Sequence, residues 1–183
     1  MAYLLRALIL LMVVGIALTV LTAFGMIDLG MGHISIAIPS FIYVIFAQAF
    51  VMFYFIGVAR LTNNVDFILK SENKENLKEL FEDPPEDLGP YLKKLNQFVH
   101  EANTAKRQTV PWGGLMVVLG MIAFLLGGAH DTNLVAMTTH SGVVYGFLVA
   151  MFIGFFRQWY YLGKAHRLLR KLKTLFSIPD AQM

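Results

Sequence analysis

Four apolar runs, at roughly 3–24, 37–59, 110–128 and 138–161, set the limits on this chain. Each has about the 20 residues that carry a helix across a ~30 Å hydrocarbon core. With 57% hydrophobic and only 15% charged residues, an ordinary water-soluble domain is excluded. The fifteen Lys and Arg residues fall to one side of that pattern. Arg6, the stretch Arg60–Arg107 and the tail from Arg157 hold all of them, and the short loops Met26–Ile36 and Ala129–Met137 hold none. Basic loops stay cytoplasmic. The expected protein is therefore multi-pass in the bacterial inner membrane, with both termini and the long central loop in the cytoplasm. The first run is too long for a secretory signal and lacks a convincing small-residue cleavage site, so it reads as a retained helix.

The expected fold is all-α, an integral membrane four-helix protein with a cytoplasmic helical hairpin between helices 2 and 3. Its sections read as 1–60 (transmembrane helices 1 and 2), 61–109 (the hairpin), 110–161 (helices 3 and 4) and 162–183 (a basic tail). Helix 2 is expected to begin near Pro39, a tolerated position in a first helical turn, and to continue past Arg60. Charge-rich sequence from Val65 to Phe81 reads as helix, and Pro84-Pro85 stops it. A return helix from Tyr91 carries Leu92, Leu95, Phe98, Val99 and Ala102 at spacings of three and four. That stripe is expected to pack on the outgoing helix. Eight basic and nine acidic side chains between Arg60 and Arg107 make the hairpin nearly neutral. Pro111 reads as the start of helix 3 and Gly127-Gly128 as its outer end. Helix 4 ends in Phe155, Phe156, Trp159, Tyr160 and Tyr161, an aromatic band of the kind found at membrane–water interfaces.

The chemistry on offer is sparse. There is no cysteine, hence no disulfide, thiolate site or iron–sulfur cluster. No nucleophile–base pair or phosphate-binding loop is visible, so an enzyme is not expected. The basic tail lies just past a membrane helix, where it meets anionic headgroups, and the pI near 9.2 is not read as nucleic-acid affinity. An intramembrane carboxylate or cation would be a functional hypothesis by default, and none lies near the middle of a span. Gln48 is the one strongly polar central side chain, and a hydrogen bond to a neighbouring helix is its favoured role. His33, His130 and His140 map to the outer helix ends beside Asp28 and Asp131. Imidazole with carboxylate suits zinc or copper, and opposed histidines suit haem. The tight spacings of a structural zinc site are lacking, however. Helix-capping at the interface is the favoured reading, and no cofactor is expected. Gly113, Gly114, Gly120, Gly142, Gly146 and Gly154 are small positions on helices 3 and 4 suited to close helix approach in lipid.

Two motifs carry a family resemblance. Ile38-Pro39-Ser40-Phe41-Ile42-Tyr43-Val44 resembles the opening of the second helix in MotA-type flagellar stator proteins. Val144-Tyr145-Gly146-Phe147-Leu148-Val149-Ala150 is similar to that family's fourth-helix segment. Pro111 followed by Gly113 and Gly120 resembles its third helix, and the four-helix topology agrees. The resemblance to the MotA/TolQ/ExbB proton-channel group covers roughly 10–60 and 110–165. It implies a homo-oligomer, a pentamer in that group, around a single-span membrane partner that supplies an ionisable Asp. It implies an inner-membrane subunit of an ion-driven motor or force-transmitting complex, with Pro111, Val117, Gly142, Val143 and Tyr145 as ion-path or pore-lining positions. The chain departs from the pattern where the group carries threonines, since Val117 and Gly142-Val143 bear no hydroxyl. A glycine pair in helix 2 is also replaced around Phe46-Ala47. These departures favour the alternative of a non-conducting membrane scaffold or accessory subunit. A haem- or metal-binding membrane subunit using the outer histidines is the lesser alternative.

Overall fold

The computed structural model describes residues 2–30, 32–71, 77–78, 80–81, 85 and 87–176. Among these, four long helices make up nearly the whole fold. They are α1 (Ala2–Ala23), α2 (His33–Lys70), α3 (Gly89–Asp131) and α4 (Met137–Leu175). All four are long and apolar enough to cross a membrane, as the sequence predicts. The described structure is thus compatible with a multi-pass membrane protein. The helices run alternately up and down, with α3 packed along both α2 and α4 and α1 packed on α2.

Three helices exceed what a bilayer requires. At 1.5 Å per residue, the 38 residues of α2 extend for about 57 Å, nearly twice a ~30 Å hydrocarbon core. The 43 residues of α3 and 39 of α4 do likewise. The surplus is the charged end of each: α2 beyond Arg60, α3 before Arg107, α4 beyond Arg157. No helix breaks at residues 60, 110 or 161. The span and its charged extension are one continuous rod.

Two helix ends differ from the expectation. Helix α2 starts at His33, six residues before Pro39, which lies inside it. Pro39 leaves only the carbonyl of Ser35, close to the helix end, without an i→i−4 donor. Helix α3 likewise runs through Pro111. The carbonyl deprived there belongs to Arg107, and Arg107 and Pro111 are both exposed. The missing bond therefore faces outward, where the bundle is not disturbed. Pro85 is described, whereas Pro84 lies outside the described residues.

The turns at the opposite end share one mechanism. Gly25 N–H donates to the Thr22 carbonyl (3.1 Å) and Met26 N–H to that of Leu21 (2.9 Å), while Gly25 has φ +66°. Asn133 N–H donates to the His130 carbonyl (2.8 Å) and Leu134 N–H to that of Ala129 (2.9 Å), with Asn133 at φ 59°. Both are Schellman caps, whose left-handed residue favours Gly or Asn. Asp28 Oδ1 accepts from Gly30 N–H at 2.8 Å and closes the first turn.

Buried contacts join the rods along their length. Val65 and Leu69 of α2 and Leu95, Phe98 and Ala102 of α3 are buried in the charged extensions. Asn103 Nδ2 donates to Asn63 Oδ1 at 3.2 Å, and Lys70 Nζ reaches Asn96 Oδ1 at 3.3 Å. The stripe of the return helix does pack on the outgoing one. Further along, Ser40 Oγ of α2 donates to the Gly15 carbonyl of α1 at 3.1 Å. A Cβ on Gly15 would lie 3.2 Å from that same oxygen, so this crossing depends on a glycine.

Candidate functional site

The interior contains few polar groups. Among the described residues the buried polar side chains are Gln48, Thr62, Thr109 and Gln158, and none of them is ionisable. Thr62 and Thr109 return their hydroxyls to carbonyls of their own helices, those of Val58 and Ala59 and that of Ala105. Gln48 and Gln158 are different, because they join α2 to α4 across the bundle. Gln158 Nε2 donates to Gln48 Oε1 at 2.6 Å, and Gln48 Nε2 faces Gln158 Oε1 at 3.4 Å. Gln48 Nε2 also meets Met12 Sδ of α1 at 3.1 Å. Both amides are 0% exposed.

Helix α3 accommodates this clasp by having no side chain beside it. A Cβ on Gly113 would fall 3.0 Å from Gln48 Oε1 and 2.9 Å from Met52 Cγ. The interhelical role expected of Gln48 is thus realised. Its partner Gln158 was not singled out in the sequence, because it sits between Arg157 and Trp159 in what reads as an interfacial band.

Cations flank this level without entering the core. Arg157 donates to Gln108 Oε1 and lies 5.3 Å from the Trp112 ring centroid. Arg6 lies 4.9 Å from the ring of Trp159, and a Cβ on Gly163 would come within 3.1 Å of Arg6 Nη2. Cation–π contacts of this kind contribute about 0.5–1 kcal/mol when exposed and more when desolvated. They hold both guanidiniums at the aromatic rim. Past the rim, the Lys164 ammonium is shifted upward, chiefly by its hydrogen bond to the Tyr160 hydroxyl. His166 is shifted downward by desolvation first, then by repulsion from Arg170 and Arg6.

At the opposite end the four helices line a half-open cavity of about 340 Å³. Ile16, Val44 and Phe147 are buried among its walls, and His33, Asp131 and His140 lie at its polar end. Gly120 is needed here, since a Cβ would stand 3.3 Å from both Phe41 and Phe147. The rings of His130 and His140 are nearly parallel, with centroids 6.3 Å apart, and His130 Nδ1 lies 3.2 Å from the Val135 carbonyl. Among the described residues no three His, Asp or Glu side chains form a metal-binding group. His33, His130 and His140 are therefore not gathered as one ligand set.

The positions expected to line an ion path fall outside this interior. Pro111, Gly142 and Tyr145 are exposed, Tyr145 at 56%, and Val117 and Val143 are partly covered. They lie on the outward faces of α3 and α4 or at their edges. Gly113 and Gly120 are close-approach positions. Gly142 and Gly146 are not, within one chain: a Cβ at either would meet nothing within 4 Å. Gly154 takes that role on α4, its Cβ position lying 2.6 Å from Met116 Cε. Comparison of the chain with protein families, curated proteins and solved structures finds no match.

Proposed function

We propose that the chain is a non-enzymatic inner-membrane subunit of an ion-driven motor or force-transmitting complex of the MotA/TolQ/ExbB type. On this reading several copies surround a single-span partner that carries the ionisable Asp. The observation that carries it is mechanical: α2, α3 and α4 continue unbroken from their apolar spans into charged extensions. A displacement at membrane level is passed along such rods, through an unbroken ladder in α4 and through ladders lacking one bond each, at Pro39 and Pro111, in α2 and α3. The basic extensions are assigned to the cytoplasm by the positive-inside rule.

On this reading the ion route avoids the interior of one chain. A described core with no buried Asp, Glu, Lys, Arg or His gives a cation little to exchange with, and a buried charge without a partner is costly. The route then runs between chains, past the outward faces of α3 and α4 that bear Pro111, Gly142 and Tyr145. Gly142 and Gly146, idle within one chain, give those faces a smooth stretch on which another helix can seat. A second reading, a non-conducting scaffold, is favoured by Val117 and Val143, which offer no hydroxyl to a passing ion.

Native mass spectrometry of the full-length chain, extracted in mild detergent with whatever accompanies it, tests the assembly. Several copies with a smaller single-span polypeptide are expected. A monomer without a partner contradicts the proposal.

A further inference from the structure

The cavity at the turn-bearing end has a shape and chemistry of its own. Along α2 it is lined from His33 to Val44, eleven residues or about 16 Å of helix rise. That is half of a ~30 Å hydrocarbon core, the depth of one leaflet. Its volume of about 340 Å³ lies at the small end of the ~300–1,000 Å³ typical of ligand pockets.

Its polarity is graded in the sense a lipid requires. The deep part is closed by Ile16, Val44 and Phe147, and one wall is the stacked pair Phe41 and Phe124, 5.1 Å between centroids. At the other end stand His33, Asp131 and His140, the polar side chains of the rim. Gly127 makes room for the imidazole, since a Cβ there would sit 3.2 Å from His140 Cε1.

We infer that the cavity is a binding site for one bilayer lipid. An acyl chain lies against the apolar walls, and the polar head sits at the end that carries His140. His33 and Asp131 flank the head. The lipid wedges the four helices at the outer leaflet, where the Gln48–Gln158 clasp does not reach. This inference needs only that the bundle sits in a bilayer, and neither a partner nor an oligomer, so it stands or falls separately from the proposed motor role.

The test uses the full-length chain reconstituted in phosphatidylethanolamine–phosphatidylglycerol vesicles doped with a phospholipid whose acyl chain carries a diazirine. After illumination, peptide mass mapping should find adducts at Ile16, Val44 or Phe147, residues that annular lipid does not reach. Adducts confined to outward residues such as Val149 and Phe152 would overturn the site. In parallel, native mass spectrometry through stepwise delipidation should leave one lipid on each wild-type chain. Ala37→Phe and Ala123→Phe, which fill the cavity, should lose it while keeping their helical circular dichroism. Retention of the lipid in both variants, or a retained polypeptide in its place, would contradict the inference. Should either variant fail to fold, the wild-type adduct map decides alone.

Discussion

Replacing Gln158 with Leu strands the Gln48 amide in a dry interior, which is worse than losing a single hydrogen bond. An unpaired buried polar group costs about 1–3 kcal/mol, whereas replacing both partners by apolar groups of similar shape is nearly neutral. Gln158→Leu and Gln48→Leu should each lower the melting temperature of the detergent-solubilised protein. The double variant should recover most of that loss, which differential scanning fluorimetry of the four proteins would show. Additive losses would mean that the two amides do not form one unit. The sequence made half of this pair legible: Gln48 stands out against Phe46, Ala47 and Ala49, while Gln158 is camouflaged by Arg157 and the aromatic band. No single-chain pattern says that a Gln inside such a band turns inward. It does so because α4 buries every third or fourth residue, Gly154, Gln158, Leu162 and Ala165, and position 158 falls on that stripe.

Among the helices, glycines divide into those that let neighbours approach within the chain and those that face away. Gly113 belongs to the first kind and Gly146 to the second. Gly113→Leu drives a side chain into Met52 and Gln48, and overpacking of this sort costs typically ~1–3 kcal/mol. Gly146→Leu should leave the stability of the isolated chain within ~0.5 kcal/mol of wild type, as surface substitutions usually do, while weakening assembly if copies meet on that face. Size-exclusion chromatography beside thermal melts separates the two effects, and a destabilised Gly146→Leu monomer would contradict the placement. Spacing alone could not sort these glycines. Gly142 and Gly146 share a face by their separation of four, but which neighbour that face meets depends on how α3 and α4 are rotated. The helices themselves were readable from the apolar runs, as was the continuation of α2 past Arg60, whereas the continuity of α3 through residue 110 and of α4 past residue 161 was not. Pro39 and Pro111 read as helix starts, but the helices run through them because the carbonyls they orphan lie near a helix end or on the outer surface.

For the molecule as a whole, the orientation proposed from the basic asymmetry can be read directly, since the chain has no cysteine to interfere. In intact cells a membrane-impermeant maleimide should label Asn133→Cys, in the α3–α4 turn. Asp87→Cys, just before α3, should react only after permeabilisation. The reverse pattern would invert the assignment. The proposed orientation would put the charged extensions where a cytoplasmic component can meet them, and the cavity in the outer leaflet. The four long apolar helices were legible because a bilayer sets the length and apolarity of a span. The cavity was not, since it arises from the splay of four helices whose lining residues are individually unremarkable.

Cation flux in proteoliposomes bears most directly on the central claim that any ion route lies between chains and not through one. The purified chain alone should show no proton or sodium flux above protein-free vesicles. The complex isolated with its single-span partner should conduct under an imposed potential and stop when the partner's aspartate is changed to asparagine. Flux through the chain alone, or a silent complex, would contradict the account.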